Sequence, residues 1–135
     1  MATNYISFAA ADNYRLAKSK TLIDLTDDTY YLIQIPKYAF VRSVWLFITT
    51  AYNTAGAYVT IGWVGNGETA QAAGFMSAEI ADCTTAGLKI AMKDNLLSFP
   101  GKYFNSASGL LTLTSSKNAG TGGTMIVFAE YSVIM

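Results

Sequence analysis

Two stretches of this chain are apolar on both faces of a strand, and they constrain its fold more than any other feature. In Val41–Thr50, Val41, Trp45 and Phe47 lie opposite Val44, Leu46 and Ile48, and Arg42 is the only charge. In Thr124–Ile134, Met125, Val127, Ala129, Tyr131 and Val133 lie opposite Ile126, Phe128 and Ile134, with Glu130 as the odd charge. Successive side chains of a strand point to opposite faces of its sheet. Such strands need cover on both sides, and a two-layer sandwich covers only one. A neighbouring subunit is the economical second cover, with Met125, Val127, Tyr131 and Val133 as candidate interface residues. A terminal arm folding back is the other source.

The rest of the chain after residue 20 follows the same idiom. Short runs rich in Thr, Val, Ile, Tyr and Phe, cut by Gly, Asn, Asp and Pro, predict strands at Thr21–Thr26, Thr29–Ile35, Ala57–Val64, Phe75–Ile80, Leu88–Lys93 and Leu110–Ser115. Asp27-Asp28, Pro36-Lys37-Tyr38, Asn53 to Gly56 and Asn118 to Gly123 read as turns. The small-residue segment Gly65 to Gly74 reads as the longest loop. Thr69–Ala73 and Ala78–Asp82 are the places where a single helical turn would fit. Leu88, Ile90 and Met92 alternate with Lys89, Ala91 and Lys93, one dry face and one wet. About eight short strands predict an all-β fold, an antiparallel β-sandwich of jelly-roll-like form over residues 21–135. Residues 1–20 differ in character and are expected to form an extended N-terminal arm.

Composition sharpens the expectation of packing partners. Hydrophobic residues make up 52% of the 135, charged ones only 13%, and nine basic residues cancel nine acidic ones. That balance gives no field to steer nucleic acid or an anionic membrane. A neutral, charge-poor domain of this size leaves apolar surface that an assembly would bury. Cys83, the single cysteine, is expected to be a small buried hydrophobe. The N-terminus lacks the basic and apolar regions of a signal peptide, and no apolar run approaches the ~20 residues of a membrane span. Synthesis in a host cytoplasm, without export by that route, is the expectation.

The chemistry available is narrow, because the chain has no histidine, the usual general base and metal ligand. Asp24, Asp27 and Asp28 sit where a turn would place them and lack the spacing of a calcium loop. Gly65-Asn66-Gly67 is not a phosphate loop. Glu68, Glu79, Asp82, Asp94 and Glu130 are spread over separate elements, and a hydrolase would need two of them facing each other. Arg42 and Glu130, each misplaced on an apolar strand, are expected to pair with one another. Trp45 and Trp63 read as core, while Tyr30, Tyr31, Tyr38, Tyr52 and Tyr58 include candidates for an exposed patch. The reading is non-enzymatic, with no catalytic residues, cofactor or metal.

The run Gly101-Lys102-Tyr103-Phe104-Asn105, then Leu110-Leu111-Thr112-Leu113-Thr114, a Gly/Thr-rich turn and Thr124-Met125-Ile126-Val127-Phe128-Ala129-Glu130-Tyr131 resembles the small β-sandwich virion proteins of tailed bacteriophages. The resemblance covers roughly Pro36 to Ser132. It implies a virion protein, a capsid decoration or cement subunit that stabilises the assembled head, usually as a homotrimer, with the major capsid protein or other virion proteins as partners. It also implies attachment by a terminal arm, which makes Tyr5, Phe8 and Tyr14 the capsid-contact candidates. The alternative is a tail or fibre component that binds a receptor or glycan.

Overall fold

The computed structural model describes residues 14–23, 25, 29–53, 58–76, 83–92, 101–116 and 122–134. Their strands form two antiparallel sheets packed face to face as a jelly-roll-like sandwich. In the first sheet β4 (Ala39–Thr50) pairs along its length with β10 (Thr124–Val133). The free edge of β10 carries two short strands in line, β1 (Arg15–Lys18) and β2 (Leu22–Ile23). The free edge of β4 likewise carries β7 (Gly87–Met92) and β8 (Lys102–Tyr103). The second sheet runs β3 (Thr29–Ile35), β9 (Gly109–Ser116), β5 (Tyr58–Gly65), β6 (Glu68–Met76). Each sheet is thus four lanes wide.

The break between β1 and β2 is held by one side chain. Ser19 donates its backbone N–H to Val127 O at 2.8 Å, and its Oγ accepts the Val127 N–H at 3.0 Å. A hydroxyl therefore replaces a backbone carbonyl where the strand is interrupted, so Val127 keeps both ladder bonds. Residues 15–18, read from the sequence as part of the arm, form a strand of the first sheet. Residues 1–13, with Tyr5 and Phe8, lie outside the described residues.

The turn chemistry explains two departures from the sequence reading. Asn66 and Gly67 both have positive φ, 56° and 66°. That pairing is the two-residue hairpin turn that Asn-Gly favours, because its twist matches the flanking strands. The chain from Glu68 onward is therefore strand β6, and neither a loop to Gly74 nor a helical turn at Thr69–Ala73. Opposite it, Gly62 admits β6 at close range, since a Cβ there would collide with the Gln71 carbonyl. The Pro36 turn closes with a bond from Ala39 N–H to Pro36 O at 3.2 Å. Tyr38, at φ 71°, is held there by using both backbone groups, to Phe104 O and from Ile134 N–H.

Alternation decides what enters the core, and one bulge shifts its phase. Val44 to Ile48 pair with β10 in one register, and Ala39 to Val41 in another displaced by a residue. Arg42 is the extra residue, opposite nothing, as in a β-bulge. Val41 consequently faces inward with Val44, Leu46 and Ile48, all fully buried, and not outward with Trp45 and Phe47. Met125 and Val127 are also fully buried in the chain's own interior, against Ile61, Leu111, Leu113 and Phe104 among others. They are core residues and not surface available to a neighbour. Of the four β10 interface candidates, Tyr131 and Val133 retain partial exposure. Cys83 is buried, and Trp63 packs on the core with Phe75 at 5.0 Å between ring centroids.

Candidate assembly surface

The outer face of the first sheet is apolar over most of its width, with Lys18 at its β1 margin. Phe47 on β4 stands between Ile126 on β10 and Leu88 on β7. The next row sets Trp45 between Phe128 and Ile90, with the Trp45 and Phe128 rings 6.3 Å apart. On the β1 lane, Leu16 is opposite Glu130 and Lys18 opposite Phe128. Leu16 is 55% exposed, Leu88 51% and Phe47 40%. Trp45, read from the sequence as core, lies on this face and donates its Nε1–H to Ser43 Oγ at 2.5 Å. By the same alternation the second sheet presents Thr29, Thr60 and Thr114 outward, with the Thr29 and Thr114 hydroxyls 3.2 Å apart. The second face mixes these hydroxyls with Tyr31, Val64, Ala70 and Ala72, whereas the first is mostly hydrocarbon around one ion pair.

The two charges near the centre of the apolar face neutralise one another. Arg42, at the bulge, forms an ion pair with Glu130, whose side chain is only 18% exposed. The Arg42 guanidinium also lies 4.2 Å from the centroid of the Tyr14 ring, a cation–π contact. Tyr14 thus stands on this face at the head of β1, stacked on Arg42. The pair is embedded where an isolated carboxylate would be costly, and each partner removes that cost for the other.

A second polar node fastens the two sheets at one end. Lys102 on β8 pairs with Glu68 at the tip of the β5–β6 hairpin, and its Nζ lies 4.7 Å from the Trp63 ring centroid. Glu68 also accepts from Trp63 Nε1 at 3.1 Å and from Asn66 Nδ2 at 3.0 Å. Asn66 Oδ1 in turn accepts the backbone N–H of Ser106 at 2.7 Å and of Ala107 at 3.2 Å. The Lys102 bond, then those from Trp63 and Asn66, hold the Glu68 carboxyl below its ordinary value of 4.5. Sequence reasoning had Glu68 only as one scattered carboxylate.

Glu68 and Glu130 are the acidic side chains among the described residues; each is bound to a cation, and they belong to different sheets. Among the described residues no three His, Cys, Asp or Glu gather as a metal site requires. Two clefts among the described residues have no carboxylate in their lining. One of about 320 Å³ is lined by Ser19, Lys20, Leu22, Tyr30, Tyr31 and Leu32. Another of about 230 Å³ lies beside Thr29, Tyr31, Thr112 and Thr114. Of the five early tyrosines, Tyr31 is strongly exposed, whereas Tyr52 is buried with its hydroxyl donating to Leu22 O at 2.8 Å.

No protein-family model and no curated protein matches the chain. Solved structures do match. Chains of three bacteriophage capsids share its fold. One belongs to the cyanophage Pam1 capsid asymmetric unit, with a TM-score of 0.70 and 15% identity over 99% of this chain and 94% of that one. Another is from the capsid of Ralstonia phage GP4, at TM-score 0.65 and 10% identity over 100% and 92%. A third is from the acid-stable capsid of Helicobacter pylori bacteriophage KHP30, at 0.63 and 17% over 88% and 86%. In all three the likeness runs nearly end to end on both chains.

Proposed function

We propose that this chain is a non-enzymatic structural subunit of a bacteriophage particle, a decoration or cement protein that binds the assembled head as a trimer. The observation that carries the reading is the near full-length fold likeness to chains of three phage capsids. The broad apolar sheet face supports it, because a face of that kind is stable only when covered. Its action would be thermodynamic. A protein that binds the closed shell and not its separated parts stabilises the shell by mass action. Three attachment arms per trimer, each weak, would hold firmly together because the second and third bind intramolecularly. Tyr5, Phe8 and Tyr14 are the proposed contacts of that arm with the major capsid protein.

The test is to delete the gene from the phage that encodes it and assay the heads. Particles that form normally but lack this chain and burst at lower temperature or under milder osmotic shock support the reading. Wild-type particles free of the chain overturn it. A fibre-type, glycan-binding role would instead rest on exposed Tyr31 beside the threonine face, and binding of cells by the isolated protein would favour it.

A further inference from the structure

We propose that Asn66-Gly67 is a self-modification site held shut by the fold. While the node around Glu68 is closed it blocks deamidation of Asn66, and when the node opens a one-way conversion unfastens that end of the sandwich. The inference stands apart from the structural-subunit reading and does not need it.

The reactive dipeptide is present for a structural reason. A two-residue hairpin turn with positive φ at both positions, 56° and 66° here, favours Asn followed by Gly. The same dipeptide is the one most open to cyclisation, because no Cβ on Gly67 shields its backbone nitrogen. Asn66 is the one asparagine of the sequence that precedes a glycine. In the reaction the Gly67 nitrogen attacks Asn66 Cγ. The new N–Cγ bond replaces Cγ–Nδ2, and the side-chain nitrogen leaves as ammonia, taking the Gly67 amide proton. Water then opens the cyclic imide at either carbonyl, giving aspartate or isoaspartate.

The folded structure opposes the first step at the side chain. Asn66 is 3% exposed, and every hydrogen-bonding position of its carboxamide is used. Oδ1 accepts the Ser106 N–H at 2.7 Å and the Ala107 N–H at 3.2 Å. Nδ2 donates to Glu68 Oε2 at 3.0 Å and reaches Tyr103 O at 3.5 Å. The Asn66 backbone N–H is also engaged, donating to Ser108 O at 3.1 Å. Turning Cγ onto the next nitrogen and releasing Nδ2 would break the side-chain bonds together, in a place water scarcely reaches. Reaction therefore requires local opening, and its rate follows the open fraction.

The product does not fit the closed node. An aspartate sets a carboxylate where Nδ2 donates to Glu68, so two acids face one lysine, Lys102. An isoaspartate adds a backbone methylene to a turn that fixes the register of β5 and β6. Either product biases the node towards opening, and neither reverts to asparagine.

The experiment uses the full chain, aged in warm, mildly alkaline buffer and followed by peptide mapping with mass spectrometry. Conversion at Asn66 is measured in the native protein and in the same protein held unfolded in urea. Native conversion slower by about tenfold or more is expected, the suppression that even a modest opening free energy gives. Glu68→Ala removes an Nδ2 acceptor. Once circular dichroism verifies that it is folded, it should convert faster than wild type, each scaled to its own unfolded rate. Asn66→Asp should melt below wild type at neutral pH. Adding Glu68→Gln, whose amide can donate to the new carboxylate, should raise that midpoint, although the same change alone lowers it. Native conversion at the unfolded rate overturns the proposal, as does a folded Glu68→Ala that converts no faster. Asn66→Asp melting with wild type overturns the claim that the product unfastens the node. None of these outcomes requires the chain to be found in a particle, so the virion reading stands or falls separately.

Discussion

Arg42 and Glu130 face each other across the bulge that shifts β4 against β10, and their ion pair lies within an otherwise hydrocarbon surface. The bulge gives β4 one residue more than its partner, and that residue is the arginine. The charge therefore leaves the core alternation without displacing an inward-facing side chain.

Removing one partner strands the other on an apolar face. Arg42→Ala and Glu130→Ala are each expected to destabilise by about 1–2 kcal/mol, less than a fully buried pair because Arg42 is half exposed. The double variant should lose less than the sum, with a coupling of about 1 kcal/mol. Denaturant unfolding of the four proteins measures this, and strict additivity would show that the pair contributes nothing.

Much of this was legible in the sequence, and its errors have physical causes. Alternation located the two central strands and their double apolar character. Deciding which face pointed inward required a further clue that was present: Glu130 shares its parity with Ile126 and Phe128, and a carboxylate marks the outer face. Met125 and Val127, on the other parity, are the core pair. In β4 the parity itself changes at Arg42, and no strand pattern announces a bulge that a partner strand defines. The Asn66-Gly67 hairpin was visible as a dipeptide but hidden by the small residues after it, whose low β propensity is overridden by pairing with β5. The short strands β1 and β8 depend on edges supplied by β10 and β4, which local sequence cannot report.

Ser19→Ala removes the acceptor for the Val127 N–H at the break between β1 and β2. A loss of about 1–2 kcal/mol is expected, the range for a buried donor left without its partner. Ser19→Thr keeps the hydroxyl and should retain most of the stability. Equal losses in the two variants would mean that packing, not the hydroxyl, matters at this position.

Glu68 gives the fold an acid-sensitive fastening. Its folded-state value is depressed below 4.5, chiefly by the Lys102 bond, so its contribution is complete above that value. The contribution is lost as pH falls through the folded-state value, where both states become protonated. Wild type should therefore melt above Glu68→Gln at neutral pH, and the gap should narrow as pH falls below 4.5. Thermal melts of both proteins across that range test it, and a gap that widens on acidification would reverse the assignment.

Deleting residues 1–13 leaves β1 and its pairing with β10 intact. The shortened protein is expected to fold with an unchanged melting midpoint and an unchanged oligomeric state, yet to fail to co-sediment with heads lacking the native subunit. Normal co-sedimentation would exclude Tyr5 and Phe8 as the attachment contacts.

The account turns on whether the hydrocarbon face of the first sheet is covered inside a phage particle. Imaging intact particles at side-chain resolution measures that directly. The predicted image has this sandwich on the head, with Phe47, Trp45 and Phe128 enclosed by neighbouring virion subunits. A particle without the chain, or one carrying it with those rings open to water, would contradict the account.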